Sequence, residues 1–113
     1  MNEINWNLRT ETLDSIAEDA LSRENGGIIV EMVRIGTRLE RESFDHNEED
    51  HREAAYHCAV AVSHAYTDEV ARIAHDVWVS REDELSDLAI CEEDVYDFLC
   101  GAFYDEAMGI SYA

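Results

Sequence analysis

The stretch EEDHREAAYHCAVAVSHAYTDE, residues 48 to 69, gathers three histidines and a cysteine among carboxylates. Such residue types can hold a metal ion, move protons or supply a nucleophile, and their spacing decides whether they do. On a helix, His57 and His64 share a face but stand about 10 Å apart along the axis, too far for two ligands of one ion. Glu53 and His57, at i and i+4, can reach one ion together, but a third ligand must come from elsewhere. HREAAYH lacks the H-E-x-x-H order of a zinc protease helix. The plainer expectation is that His57 and His64 are half-buried and hydrogen-bonded to a carboxylate or a tyrosine.

Nucleophilic chemistry has no better support. There is no G-x-S-x-G, and Cys58, Cys91 and Cys100 sit in no family signature. Three cysteines without a CxxC pair read as reduced thiols filling small core positions. NGG, residues 25–27, lacks the context of a phosphate-binding loop. DHNEEDHRE is rich in oxygen ligands, but it lacks the glycine and the alternating pattern of a calcium-binding EF-hand loop. The expectation is a chain with no catalytic residue, no metal site and no cofactor: not an enzyme.

Charge is the feature that remains. Among 113 residues, 27 are Asp or Glu and 8 are basic, a formal net charge of −19. All the basic residues are arginines, and Lys, Pro and Gln are absent. Self-repulsion on this scale costs stability, so the chain either lives in concentrated salt or uses the field. Phosphates are repelled, which argues against direct contact with nucleic acid or an anionic membrane. A basic protein is the favoured partner.

The elements that must carry these charges read as helices. In TETLDSIAEDALSREN, Leu13, Ile16, Ala17, Ala20 and Leu21 follow one helical face. Thr10 or Thr12 can cap its start, and NGG supplies a positive-φ exit. IIVEMVRIGTRLERESF places Ile28, Met32, Ile35 and Leu39 on a shared face, with Ile29, Val33 and Gly36 beside it. Its β-branched start also permits a strand, but the continuation favours helix. A third helix presents Ala54, Ala55, Cys58, Ala61, Val62 and Ala65 as a small-residue packing face and ends near Tyr66. Thr67 caps a fourth, buried through Val70, Ile73, Ala74, Val77 and Trp78. SREDELSDLAI is a charged connection with room for a short helical turn. The last helix turns Val95, Phe98, Leu99, Ala102 and Phe103 inward and stops at Gly109. This is an all-α fold: a compact bundle of about five helices forming one acidic domain over residues 1–113. The N-terminal residues show no basic-then-apolar leader and no apolar run reaches membrane-spanning length, so a cytoplasmic location is expected (the host cytoplasm if phage-encoded).

The acids concentrate in two runs. One, residues 40–53, holds Glu40, Glu42 and Asp45 against Arg41 and Arg52, and ends in Glu48, Glu49, Asp50 and Glu53, which belong with the second run. The other holds Glu82, Asp83, Glu84, Asp87, Glu92, Glu93, Asp94, Asp97, Asp105 and Glu106, with no basic residue after Arg81. Ten charges over roughly 38 Å of helix is about one per 4 Å. Duplex DNA carries one per ~1.7 Å, so two acidic helices side by side approach its density. Carboxylates fixed on rigid helices at that density can stand in for phosphates. These fourteen residues are the expected partner-binding surface.

Residues 53–74, EAAYHCAVAVSHAYTDEVARIA, resemble the small acidic phage antirestriction proteins of the Ocr type at Glu53, Ala54, His57, Ala59, His64, Tyr66 and Ile73. The resemblance implies a DNA mimic that fills the DNA groove of a host defence enzyme, a strategy that several anti-CRISPR inhibitors share. The expected partner is then a basic DNA-binding protein or nuclease complex. A homodimer would lengthen the charge array, with Tyr96, Tyr104 and Tyr112 as candidate interface residues. The competing expectations are an acidic regulatory or antitoxin-like module for another basic protein, and a halophile-adapted small helical domain.

Overall fold

The computed structural model describes residues 3–109; Tyr112 lies outside them. Four helices follow in order: α1 (Trp6–Ser22), α2 (Gly26–Asp45), α3 (Glu49–Asp87) and α4 (Glu92–Met108). The all-α class agrees with the sequence. The count is four and not five, because the two central segments form one 39-residue helix. Thr67 does not cap a new helix. Its hydroxyl donates back to the carbonyl oxygens of Ser63 at 2.8 Å and His64 at 3.2 Å, within the continuing turn. Nothing at residues 66–69 breaks a helix: there is no glycine or proline, and a hydroxyl satisfied inside its own turn removes no backbone bond.

The charged segment after Ser80 is also helical, and not a connection. The interruption falls on Arg81 (φ −133°, ψ 23°), where the Ser80 hydroxyl donates to the carbonyls of Asp76 and Val77. Such back-bonding bends helices. Beyond the bend, Leu85, Leu88 and Ile90 are buried. Their anchoring, with Ala89 in the left-handed region at φ 56°, turns the chain into α4.

Both predicted devices at the start of the chain differ in detail. Asn5, and neither Thr10 nor Thr12, caps α1: its side-chain oxygen accepts from the Leu8 N–H at 3.0 Å. Thr10 instead donates to the Trp6 carbonyl and Thr12 is buried. NGG adopts no positive φ. Gly26 is needed for closeness, because a Cβ there would lie 2.3 Å from the Leu21 carbonyl oxygen. That contact lets α2 begin directly against the end of α1. Gly109, at φ 71°, ends α4 as expected.

The core joins Leu13, Ile16, Ala17 and Ala20 of α1 with Ile29, Val30 and Val33 of α2. Val70, Ile73, Ala74, Val77 and Leu85 of α3, Leu88 and Ile90 of the turn that follows, and Val95, Leu99, Phe103 and Ala107 of α4 complete it. On α2 the inward face is therefore the one beside the expected stripe, and Ile28 and Ile35 are exposed. Between Val33 and Val70 the core cluster has no member. There α2 and α3 run on together as a two-helix arm, and Ala55 is its buried apolar side chain. The molecule accordingly measures 59 × 29 × 29 Å, and the unbent run of α3 over residues 49–80 supplies ~48 Å of its long dimension.

The arm also overturns the expected packing role of its small residues. Ala55 is buried, but Ala54, Cys58, Ala61 and Ala65 face solvent. His57 and His64 are exposed and not half-buried; His57 lies 3.8 Å from Glu53 and edge-on to the Tyr56 ring. Cys58 and Cys91 are exposed, and Cys100 is half-buried against the core, so only Cys100 approaches the expected role. For the residues on the arm the physical reason is shared. With no third layer over the arm, a helix there can bury one narrow stripe and no more.

Candidate functional site

The fourteen carboxylates read from the sequence fall in three places. Glu48, Glu49, Asp50 and Glu53 crown the tip of the arm. Glu82, Asp83, Glu84 and Asp87 lie on the last turns of α3, past the bend. Glu92, Glu93, Asp94, Asp97, Asp105 and Glu106 are distributed along α4. All are exposed except Glu92, Asp94 and Asp105, which are half-buried. His75, where α3 meets Glu92, is 22 residues beyond Glu53, so about 33 Å of helix separates the tip from the start of α4. The tip acids and the α4 acids therefore form separate negative regions.

Several of these carboxylates are already engaged. Arg81 grips Glu84 with two hydrogen bonds, Nη2 to Oε1 at 2.7 Å and Nε to Oε2 at 3.0 Å. Those bonds hold the Glu84 carboxyl below the usual carboxylate range and raise the Arg81 guanidinium above its own. Asp94 Oδ2 accepts from the Cys91 N–H at 3.0 Å, fastening the first turn of α4. That backbone bond lowers the Asp94 pKa most, followed by the Cys91 side chain and then by Arg9, 3.5 Å away. Glu92 Oε1 stands 2.9 Å from His75 Nδ1. These groups stabilise the end of α3 and the start of α4, which positions the rest of α4.

The remaining α4 acids meet a second acidic helix. An open groove of about 740 Å³ runs between α1 and α4. Its floor is apolar, formed by Ala17, Leu21, Phe98 and Ala102. Its walls carry Asp14 and Glu18 from α1 and Asp97, Asp105 and Glu106 from α4, and no basic residue lines it. Helix periodicity produces this. Leu13, Ile16 and Ala20 turn α1 inward, which leaves Asp14 and Glu18, at i and i+4, on its flank. On α4 the Val95–Leu99–Phe103 stripe does the same for Asp97 and Asp105. Asp14 and Glu18 were missed from the sequence because the acids were counted along the chain. The signal was available: each sits one position beyond an inward residue of α1, Leu13 and Ala17, while Asp97 and Asp105 each stand two positions beyond a member of their own stripe.

Five carboxylates within the roughly 13.5 Å of helix from Asp97 to Glu106 amount to about one per 2.7 Å. That is denser than either helix alone and near the ~1.7 Å of a duplex. The arrangement can attract and hold guanidinium and ammonium groups above an apolar floor. Among the described residues no three His, Cys, Asp or Glu side chains come together as a metal-holding group, and no helix is long and apolar enough to cross a membrane. No family model matches the chain, and neither a curated protein nor a solved structure is detectably similar to it.

Proposed function

We propose that this protein is a non-enzymatic DNA mimic, encoded by a phage or mobile element. It occupies the basic DNA-binding channel of a host nuclease, restriction enzyme or CRISPR effector. The observation that carries this reading is the α1–α4 groove, where two rows of carboxylates lie side by side at close to phosphate density and none of the described lining residues is basic. Rigid helices hold the charges, so binding orders little chain. Carboxylates then pair with the arginines and lysines that otherwise grip phosphates, and inhibition is competitive. Long-range attraction makes association fast and salt-sensitive.

The apolar floor favours a second reading. Leu21 and Phe98 have no counterpart in a phosphate backbone, and a groove with acidic walls and such a floor also fits a basic amphipathic segment of a regulator or toxin. Capture from a host lysate at 50 mM and 300 mM salt tests both readings. A basic DNA-handling enzyme retained at low salt and lost at high salt supports mimicry. A basic protein without DNA-binding activity supports the second reading, and retention that salt does not change opposes both.

A further inference from the structure

The arm carries a surface of a different kind from the groove. From Ala54 to Thr67 there is no Asp, Glu, Arg or Lys, four turns of largely exposed helix in a chain that is 31% charged. On one side of the arm, α2 and α3 enclose a shallow groove of about 270 Å³ lined by Phe44, Tyr56, Val60 and Ser63, together with Glu40 and His64 among others. Phe44 is 75% exposed and Tyr56 56%. These are among the most exposed large apolar side chains of the molecule, and they converge on an element with no third layer above it.

We propose that a second copy of this chain covers that face, its arm laid antiparallel across the first to close a four-helix bundle around Phe44, Tyr56 and Val60. Charge selects this occupant. A basic partner would be met by rows of acids, as in the α1–α4 groove, whereas Glu40 is the one acid lining this groove and the apolar remainder fits another of its kind. The ends of the arm are complementary too. Arg38, Arg41 and Arg52 have no ion pair among the described residues, although the chain holds 27 acids. With the two-fold axis between Ala59 and Val60, each Tyr56 meets the other copy's Ser63. Arg52 then reaches the turn carrying the other copy's Thr67 and Asp68.

Size sets the strength. Two helices of ~10 Å diameter overlapping for ~25 Å present on the order of 500 Å² each. Together they bury about 1,000 Å², the lower end of specific interfaces, so association is expected in the micromolar range. Salt acts on it in the sense opposite to partner binding. Two copies of −19 repel, and screening relieves them, so the dimer tightens as salt rises while the DNA-mimic contact weakens. A failure of this inference is thereby distinguishable from a failure of the proposed function.

Sedimentation equilibrium from about 1 to 200 µM tests it, at 50 and 500 mM NaCl. Expected is a concentration-dependent rise from the 12.9 kDa chain mass toward twice that value, stronger in the higher salt. Val60→Glu and Phe44→Ser, both at exposed positions, should keep the helical spectrum and raise the dissociation constant at least 100-fold. Val79→Glu, at an exposed apolar position outside the arm, should leave it unchanged. A wild-type chain that stays at the single-chain mass at 200 µM in both salts overturns the proposal. So does a dimer that survives both arm variants, which would place the contact elsewhere.

Discussion

Neutralising Asp14, Glu18 and Asp97 together, as Asp14→Asn, Glu18→Gln and Asp97→Asn, should stabilise the protein. Among the described residues none of the three makes an ion pair or a side-chain hydrogen bond, so the substitutions remove repulsion and no attractive contact. The five groove carboxylates form ten mutual pairs, and this variant abolishes nine of them. Packed helices lie 8–10 Å apart, and two charges ~9 Å apart in water repel by about 0.5 kcal/mol. Screening reduces each pair to roughly 0.3 kcal/mol at 10 mM salt and to ~0.15 kcal/mol at 150 mM. The gain is then about 3 kcal/mol in low salt and about 1 kcal/mol at physiological salt, less whatever repulsion the unfolded chain retains. Urea melts at the two ionic strengths measure it. A midpoint that rises in the variant, and rises more at 10 mM, is expected. A fall, or a gain independent of salt, would show that Asp14, Glu18 and Asp97 are held by attractive contacts and do not repel their neighbours.

Three further outcomes follow from local geometry. Gly26→Ala should destabilise by about 2 kcal/mol or more, the cost of an overpacked contact, because the new Cβ meets the Leu21 backbone. Gly27→Ala, with nothing within 4 Å, should gain a few tenths of a kcal/mol, and thermal melts of the pair check both. Asp94→Ala should cost about 1 kcal/mol at pH 7 through the lost contact with the first turn of α4. Since folding depresses the Asp94 pKa, its contribution is present above the unfolded carboxyl value of about 3.9 and is lost as pH falls through the folded one. Urea melts of wild type and variant should therefore converge in acid, and a gap that persists below both values would contradict the assignment. Phe103→Ala, 1% exposed at the centre of the core, should cost about 3–5 kcal/mol in a denaturant titration.

The helical class was legible because the apolar period of 3.6 recurs in every long segment, and α4 was read almost to its ends from Val95, Leu99, Phe103 and Gly109. What escaped was tertiary. Tyr66–Thr67 looked like a boundary because threonine caps helices, yet a threonine inside a helix satisfies its hydroxyl on the preceding turn, and the string of residues alone does not separate the two cases. The small residues from Ala54 to Ala65 have the pattern of a packing face, and whether anything packs there depends on the arm projecting beyond the bundle. Ile28 and Ile29 compete for the core, and the close start of α2 at Gly26 settles the competition in favour of Ile29. The acidic site was half legible. Asp97, Asp105 and Glu106 were identified, but their neighbours Asp14 and Glu18 lie more than 75 positions away in the chain, and only the α1–α4 contact unites them. The same contact map leaves Glu48–Glu53 on the arm, in a separate region.

The most direct test of the mimicry reading is a competition titration. The partner captured from lysate is saturated with fluorescent duplex DNA, and this protein is added at 50 mM salt. Loss of DNA in proportion to protein bound is expected, with at least a 30-fold weaker effect from the Asp14→Asn, Glu18→Gln, Asp97→Asn variant. A stable ternary complex of partner, DNA and this protein, or full displacement by the neutralised variant, would contradict it.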